Sequence, residues 1–231
     1  MRKTLLLNLT LAAAAVVPCT AAVTYVDATS GAGGNTTLAD GSTFTPPLNG
    51  TTGVDNNWEQ RTTFGSGGNI FESGGEQIEN APELRTRLSG LTPGVQYTIY
   101  INFWDPGSTT EDWNIRAGFA SNAGANTLYS AADATAELGG ATAAILASTL
   151  TYTTAPTIFT EGGRNLMAGL VGTATADGSG QIDIYFDDLP NGTTVNRRTW
   201  YDGVSYEAVP EPGSWLLGLA GAATLLRRRR R

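Results

Sequence analysis

The sequence YTIYINFW, residues 97–104, alternates in side-chain character from one residue to the next. A β-strand points successive side chains to opposite faces, so this alternation predicts a strand. One face would carry the side chains of Tyr97, Ile99, Ile101 and Phe103. The opposite face would carry those of Thr98, Tyr100, Asn102 and Trp104. This is the clearest strand in the sequence, and it carries a continuous apolar face.

Strand patterns also occur on either side of it. Residues 84–88 alternate Leu and Thr with Arg, and Thr92-Pro93-Gly94 supplies a turn in which Pro presets φ and Gly permits positive φ. Further strands are expected at residues 23–27, 58–63, 113–119, 165–174, 181–187 and 199–208. Many short strands with Gly, Pro and Asn turns predict an all-β fold, an antiparallel β-sandwich of jelly-roll type.

Two local predictions complete this fold. The sequence DGSG, residues 177–180, is expected to join its neighbouring strands as a hairpin. Residues 131–150 are rich in Ala and Leu and are expected to be helical, with a break at Gly139-Gly140.

Composition excludes several kinds of chemistry. The chain of 231 residues has no His, and its single Cys is Cys19. Ser-His-Asp triads, Cys-His dyads and His-ligated zinc sites are therefore excluded. Residues 23–209 contain 20 Asp and Glu but only 7 Arg, a net charge of −13. Nucleic acid is not an expected partner, because a phosphate backbone requires a basic surface.

The first 22 residues have the parts of a secretory signal peptide. Arg2 and Lys3 form a basic start, and residues 5–17 form an apolar stretch. Thr20-Ala21-Ala22 places small residues before a cleavage expected at Val23. We therefore expect residues 1–22 to direct export across the inner membrane and residues 23–209 to form the ectodomain.

The last 22 residues, 210–231, also have three parts. Pro210, Glu211 and Pro212 form a rigid, extended start, because each proline fixes its own φ and disfavours helix before it. Residues 214–226 are an uncharged, mostly apolar run, and residues 227–231 are five arginines that would stay on the cytoplasmic side. Thirteen residues span about 20 Å as a helix, short of the roughly 30 Å hydrocarbon core. A short apolar helix of this kind suits a transient membrane anchor.

This tripartite tail resembles the PEP-CTERM sorting signal of Gram-negative bacteria. The resemblance covers residues 210–231 and includes all three parts in order. It implies recognition by an exosortase, a membrane-embedded transpeptidase-like protease, and release or re-anchoring at the cell surface. Tails of this kind are often found in bacteria that make extracellular polysaccharide, so the resemblance also implies such a source. The alternative is an ordinary C-terminal membrane anchor.

Two sequence segments within the domain show a second resemblance. LxxLxPGxxYxxYxxFW, residues 88–104, and RTWYDGVSYE, residues 198–207, are similar to β-sandwich ectodomains that carry PEP-CTERM tails. They also resemble carbohydrate-binding-module and fibronectin-type sandwiches. The resemblance bears on fold more than on function.

The loop DPGSTTED, residues 105–112, is bracketed by Trp104-Asp105 and Asp112-Trp113. Indole rings can offer flat apolar faces to the C–H face of a sugar, and carboxylates can accept hydrogen bonds from its hydroxyls. Trp104, Asp105, Asp112 and Trp113 are therefore candidate carbohydrate-binding residues. The alternative is that both indoles pack in or over the core.

A second group combines arginine with aromatic residues: Arg197, Arg198, Trp200, Tyr201 and Asp202. Such a group can bind acidic sugars, and the alternative is that Arg198 pairs with Asp202 within an edge strand. Gly65-Ser66-Gly67-Gly68 lacks the lysine of a phosphate loop.

Several carboxylates are candidates for chemistry of their own. Glycoside hydrolysis needs two carboxyl groups at a set separation. The candidate acids are Glu111, Asp112, Asp187 and Asp188, and the sequence selects no pair among them. No cofactor is expected, although Asp187-Asp188 and Asp27 could supply ligands for a structural calcium ion.

Three interpretations of the ectodomain follow. The first is a non-enzymatic surface domain that contacts polysaccharide, and the second is a structural or adhesive protein without a ligand site. The third is a small sandwich-fold hydrolase. Burial of both Trp104 and Trp113 would favour the second, and a cleft with two facing carboxylates and a raised pKa would favour the third.

Overall fold

The computed structural model describes residues 22–48, 56–73, 80–107, 113–121, 126–130, 141–142, 144–145, 150–188 and 198–210. The predicted signal peptide, except Ala22, and the predicted tail, except Pro210, lie outside these residues. Glu111, Asp112, Arg197, Glu211 and Pro212 also lie outside them.

The described residues form fifteen β-strands and no helix. The strands are β1 Val23–Asp27, β2 Thr36–Leu38, β3 Glu59–Thr62, β4 Asn69–Ser73, β5 Leu84–Leu88, β6 Gln96–Trp104, β7 Asn114–Gly118, β8 Thr127–Ser130, β9 Ala141–Thr142, β10 Ala144–Ile145, β11 Tyr152–Thr154, β12 Thr160–Glu161, β13 Arg164–Thr175, β14 Ile182–Asp187 and β15 Thr199–Ala208. In this part of the chain, no helix is long and apolar enough to cross a membrane. The all-β prediction is confirmed, and the strands predicted from alternation are found within a few residues of their expected bounds.

The strands belong to two sheets with mostly antiparallel pairing. The larger has nine strands, with the order β10-β13-β6-β15-β1-β11, to which β12 adds at β13, β4 at β15, and β3 at β4. The smaller has six strands in the order β2-β5-β14-β7-β8-β9. The longest strands, β6, β13 and β15, are neighbours, so the stretch that first indicated the fold lies inside the larger sheet.

One core joins the two sheets. Ile99, Ile101 and Phe103 of β6 belong to the same buried cluster as Ile184 and Phe186 of β14. The alternation predicted for residues 97–104 is therefore confirmed on its apolar face. First and last strands, β1 and β15, pair with each other, and every described strand lies between Val23 and Ala208. Residues 23–209 thus contain both sheets and the core that a folding unit needs.

The opposite face of the larger sheet is covered by a second buried group, which we call the tryptophan cluster. It consists of Ile70, Trp104, Trp113, Leu166, Ala168 and Trp200. Side chains of residues 150–159, together with Phe64, pack over it. Strand β6 therefore has apolar neighbours on both faces near Trp104.

The predicted hairpin at Asp177 is wrong. The turn itself is present, because Gly180 N donates to Asp177 O at 2.9 Å. However, β13 pairs with β6, β10 and β12, whereas β14 pairs with β5 and β7. The turn therefore carries the chain from the larger sheet to the smaller one. It lies beside the β5–β6 crossing, where Leu91 N donates to Gly180 O at 3.0 Å, and local turn chemistry does not distinguish such a crossing from a hairpin.

The predicted helix at residues 131–150 is wrong where the structure describes that segment. Ala141–Thr142 adds to β8, and Ala144–Ile145 pairs with β13. The remaining residues of the segment, apart from Leu150, lie outside the described part. Pairing with an existing sheet edge overrides the weak helical preference of Ala and Leu.

A β-bulge in β15 sets the direction of its side chains. Tyr201 pairs with Phe103 and Gly203 pairs with Asn102, so Asp202 is the additional residue. The bulge resets the alternation, and Tyr201 and Val204 both enter the main core. A Cβ on Gly203 would lie 2.3 Å from Val26 O, so a glycine is needed for the close approach to β1.

Candidate functional site

Trp104 lies at the end of β6 and is 0% exposed. Its ring packs edge-on against Phe64, with 5.0 Å between centroids. Its indole Nε1 donates to Asp202 Oδ2 at 3.0 Å. The sequence places Trp104 on the face opposite the main core, and the structure agrees, but the tryptophan cluster covers that face. The indole therefore presents no open face to a ligand.

Trp113 is likewise buried, at 1% exposed. Its ring lies 4.5 Å from that of Trp200, and the Arg164 guanidinium lies over it at 4.9 Å from the centroid. This arrangement matches the packing alternative for both indoles. Carbohydrate binding by Trp104, Asp105, Asp112 and Trp113 stays a prediction, and the burial of both rings counts against it.

Asp105 connects the end of β6 to the start of β13 through hydrogen bonds. Asn165 N donates to Asp105 Oδ1 at 2.7 Å, and Asn165 Nδ2 donates to Oδ2 at 2.9 Å. Gly107 N also donates to Oδ1, at 3.2 Å. Both carboxylate oxygens are thus engaged within the fold, and the side chain is almost fully buried.

Asp202 is a buried carboxyl that the sequence did not connect with Trp104. Ser66 N donates to it at 3.3 Å in addition to the indole of Trp104. The Tyr25 hydroxyl donates to the Asp202 carbonyl at 3.0 Å and to Asp27 Oδ1 at 3.1 Å. Burial, and then the nearby Asp27 charge, raise the pKa of Asp202 to about 7. Burial also raises the pKa of Asp27 to about 6.

Three successive backbone amides bind three carboxylates in the segment we call the glycine loop, residues 65–68. Gly65 N donates to Glu161 Oε2 at 3.0 Å, Ser66 N donates to Asp202, and Gly67 donates to Asp27. A Cβ on Gly67 would lie 1.8 Å from Asp27 Oδ2, so this approach requires glycine. The sequence GSGG therefore cradles anions, as phosphate loops do, but these anions belong to the protein itself.

Arg198 and Asp202 do not pair, so that alternative is wrong. Arg198 Nη1 instead binds Glu72 Oε1 at 3.1 Å, and Arg61 Nε donates to Glu72 Oε2 at 2.6 Å. The sequence could not indicate this, because β15 is an interior strand whose neighbours include β4, the strand of Glu72. Trp200 and Tyr201 are both buried.

Asp187 and Asp188 form a buried acidic pair at the end of β14. Asp188 Oδ2 accepts hydrogen bonds from Ser73 Oγ and Ala81 N. Burial and the neighbouring Asp188 charge raise the pKa of Asp187 to about 8, and burial also raises that of Asp188. The raised pKa expected of a hydrolase acid is thus present, but both side chains are buried rather than facing an open cleft.

Metal binding by these acids stays a prediction. Among the residues that the structure describes, no group of three or more Asp and Glu side chains is arranged to hold a metal ion. Asp27, the other expected calcium ligand, instead accepts hydrogen bonds from Tyr25 and the glycine loop.

Comparison with known proteins adds no assignment. No protein-family model matches the chain, and the search of curated proteins gives no significant match. Conclusions about function therefore depend on this chain's own residues.

The Trp104–Asp202 hydrogen bond should make Trp104→Phe more damaging than Trp113→Phe. Both changes shrink a buried indole, but Trp113 Nε1 is buried without a hydrogen-bond partner. Only Trp104→Phe leaves a buried acceptor with one donor fewer, which typically costs about 1–3 kcal/mol. Urea unfolding of residues 23–209 measures the difference. Equal losses of stability in the two variants would contradict this role for the indole.

The buried carboxyls should make the domain more stable in mild acid than in mild base. Their raised pKa values mean that the folded chain binds more protons than the unfolded chain, so unfolding becomes easier as pH rises from about 4 to 8. For Asp202, moving the pKa from 3.8 to about 7 corresponds to roughly 4 kcal/mol. Unfolding free energies measured between pH 4.5 and 8.5 should show this decline.

The matched variants are Asp202→Asn and Asp40→Asn. Asp202→Asn keeps a neutral group at the bulge, so stability should decline less steeply between pH 5 and 8. The pKa of Asp40 is lowered by hydrogen bonds from Ser42, so this carboxyl is ionised throughout that range and its loss should leave the slope unchanged. A steep slope retained by Asp202→Asn would exclude Asp202 as its source.

Proposed function

We propose that the protein is exported across the inner membrane and sorted to the cell surface or extracellular matrix by its C-terminal tail. The observation that carries this proposal is the order Pro210-Glu211-Pro212, apolar run 214–226 and arginines 227–231. An exosortase-type enzyme would be the processing partner. Residues 214–226 would anchor the chain in the membrane until processing. The anchor would be transient, because the apolar run is too short to span the hydrocarbon core fully.

We further propose that the ectodomain is an antiparallel β-sandwich of jelly-roll type. The support is the single core shared by two sheets, with side chains of β6 and β14 in the same cluster. The neighbouring crossings from β5 to β6 and from β13 to β14 add to this, because each carries the chain from one sheet to the other. In a sandwich, strands pair within a sheet and their connections pass between sheets.

For the ectodomain we propose a non-enzymatic contact with extracellular polysaccharide. The support is the resemblance of the tail to a signal found in bacteria that make such polymers. The acidic surface suits an extracellular, hydrated setting.

A purely structural or adhesive role is the second candidate. It is favoured by the burial of Trp104 and Trp113, since neither indole has an exposed face for a sugar. The two candidates differ in one measurable property, which is affinity for a glycan polymer.

Sorting should depend on the tripeptide at the start of the tail. In a host with an exosortase system, the full chain carrying Glu211→Ala and Pro212→Ala should accumulate in the inner membrane. The unchanged chain should appear at the surface or in the medium. The control is Glu207→Ala, which alters a nearby acidic residue of β15 outside the tripeptide. Identical fractionation of all three chains, with and without the exosortase, would indicate an ordinary anchor instead.

Polysaccharide contact should be visible as retarded migration of residues 23–209 in native gels that contain polymer. Gels cast with a neutral glucan, a galactomannan or a polyuronate should be compared with a gel without polymer. A reference protein of similar negative charge corrects for sieving. Unretarded migration in every polymer, including polysaccharide purified from a host with an exosortase system, would favour the structural role.

A further inference from the structure

An open cleft of about 330 Å³ lies beside the turn that leads into β14. Gln181, Asp183 and Tyr185 line it from one face of this segment. Of the alternate residues, Ile184 lies in the core, and Ile182 both belongs to the core and borders the cleft. This volume is at the lower end of the range for small-molecule sites. We call this site the β14 cleft, and it is remote in the fold from the tryptophan cluster.

Two aromatic side chains, those of Phe119 and Tyr185, line the β14 cleft together with the apolar residues Ala174 and Ile182. Phe119 follows β7, whose last residue, Gly118, pairs with Tyr185. Phe119 is 37% exposed, whereas most large apolar side chains among the described residues are buried. A Cβ on Gly172 would lie 3.5 Å from Phe119 Cε2, so the ring lies close to the bulge of β13. The two rings thus offer apolar surface where the end of β13, in the larger sheet, lies beside β14, in the smaller sheet.

Unused hydrogen-bonding groups surround these rings. The Gln181 amide and the hydroxyls of Thr175 and Tyr185 make no hydrogen bond among the described residues. Asp177 Oδ1 accepts from Ser179 N and Gln181 N, each within 2.9 Å, which leaves its second oxygen for a ligand. Amide, hydroxyl and carboxylate groups around aromatic rings match the alternating hydroxyls and C–H faces of a sugar. The ring face carries negative charge density, which attracts polarised C–H groups.

The charges favour a neutral sugar over an acidic one. Asp183 is held by Arg87 at 2.7 Å and by Arg85 at 3.4 Å, so its charge is compensated. Asp177 has no ion pair among the described residues and contributes a negative charge. No described residue that lines the β14 cleft is cationic. The nearby Arg87 also interacts electrostatically with Asp177, but its guanidinium is bound by Asp183. A uronate or sulfate would therefore meet the Asp177 carboxylate without a free cation among the described lining residues.

We propose that the β14 cleft binds neutral hexose units of a polysaccharide. Phe119 and Tyr185 provide the stacking surface, and Gln181, Thr175 and Asp177 provide the hydrogen bonds. The proposal rests on the polysaccharide contact proposed above and names the place and the sugar class of that contact.

The test is gel retardation of residues 23–209 by a neutral glucan, a galactomannan and a polyuronate. Phe119→Ala and Gln181→Ala are the test variants, and each should weaken binding to a neutral polymer by at least fivefold. Leu170→Ala is the matched control, because Leu170 is 58% exposed but does not line the β14 cleft. Thermal unfolding of each variant establishes that it is folded.

An independent measurement uses amide NMR shifts during titration with a neutral oligosaccharide. Shifts should be concentrated at Gly118, Gly172, Gly178 and Gly180, which lie at or next to the β14 cleft. Polymer binding that both test variants retain in full would overturn this site while leaving the polysaccharide contact in place. Retardation by the polyuronate alone would overturn the neutral-sugar assignment. Absence of retardation by any polymer would overturn the site and the polysaccharide contact together.

Discussion

Asp202 is held at a β-bulge where β15 pairs with β6, and its carboxyl accepts hydrogen bonds from the indole of Trp104 and from the glycine loop. Tyr201 enters the main core, whereas the next residue, Asp202, binds the indole of Trp104 in the tryptophan cluster. A buried carboxyl is costly unless hydrogen bonds surround it. The surrounding donors therefore fix the positions of the loops that supply them. This constraint explains why the far face of the larger sheet is closed.

Because that face is covered, two regions that both contain aromatic and acidic residues differ in their access to solvent. Around Trp104 and Trp113, the aromatic rings pack against one another, and the nearby carboxylates accept hydrogen bonds from backbone amides and side chains. The β14 cleft differs, because Phe119 is exposed there and the side chains of Thr175, Gln181 and Tyr185 make no hydrogen bond among the described residues. Both regions contain aromatic residues beside acids, which is the pattern that suggested a sugar site. Only the second leaves those groups accessible to solvent.

Sequence patterns predicted the strands well because alternation is a local property of each strand. The apolar face of residues 97–104 and nearly the full extent of β1, β5 and β15 were predictable in this way. The partners of Asp202 were not, since Ser66 and Trp104 are far from it in the sequence. An Asp-Gly pair within a strand pattern was the available signal for the bulge. The DGSG turn was recognised as a turn, but whether its strands pair depends on which sheet edges are already occupied.

The sequence by itself determined the all-β class, the chemistry that a chain without His excludes, and the tripartite tail that suggests a destination. Those conclusions depend on residue identity and short-range order alone. Tertiary structure decided which aromatic residues are accessible, because burial depends on what the rest of the chain places over a strand. Trp104 occupies the predicted face, yet Phe64 and the residues around Phe159 cover that face. The sequence did not indicate Phe119 as a binding residue, and its side chain is exposed because the sheets leave an opening beside it.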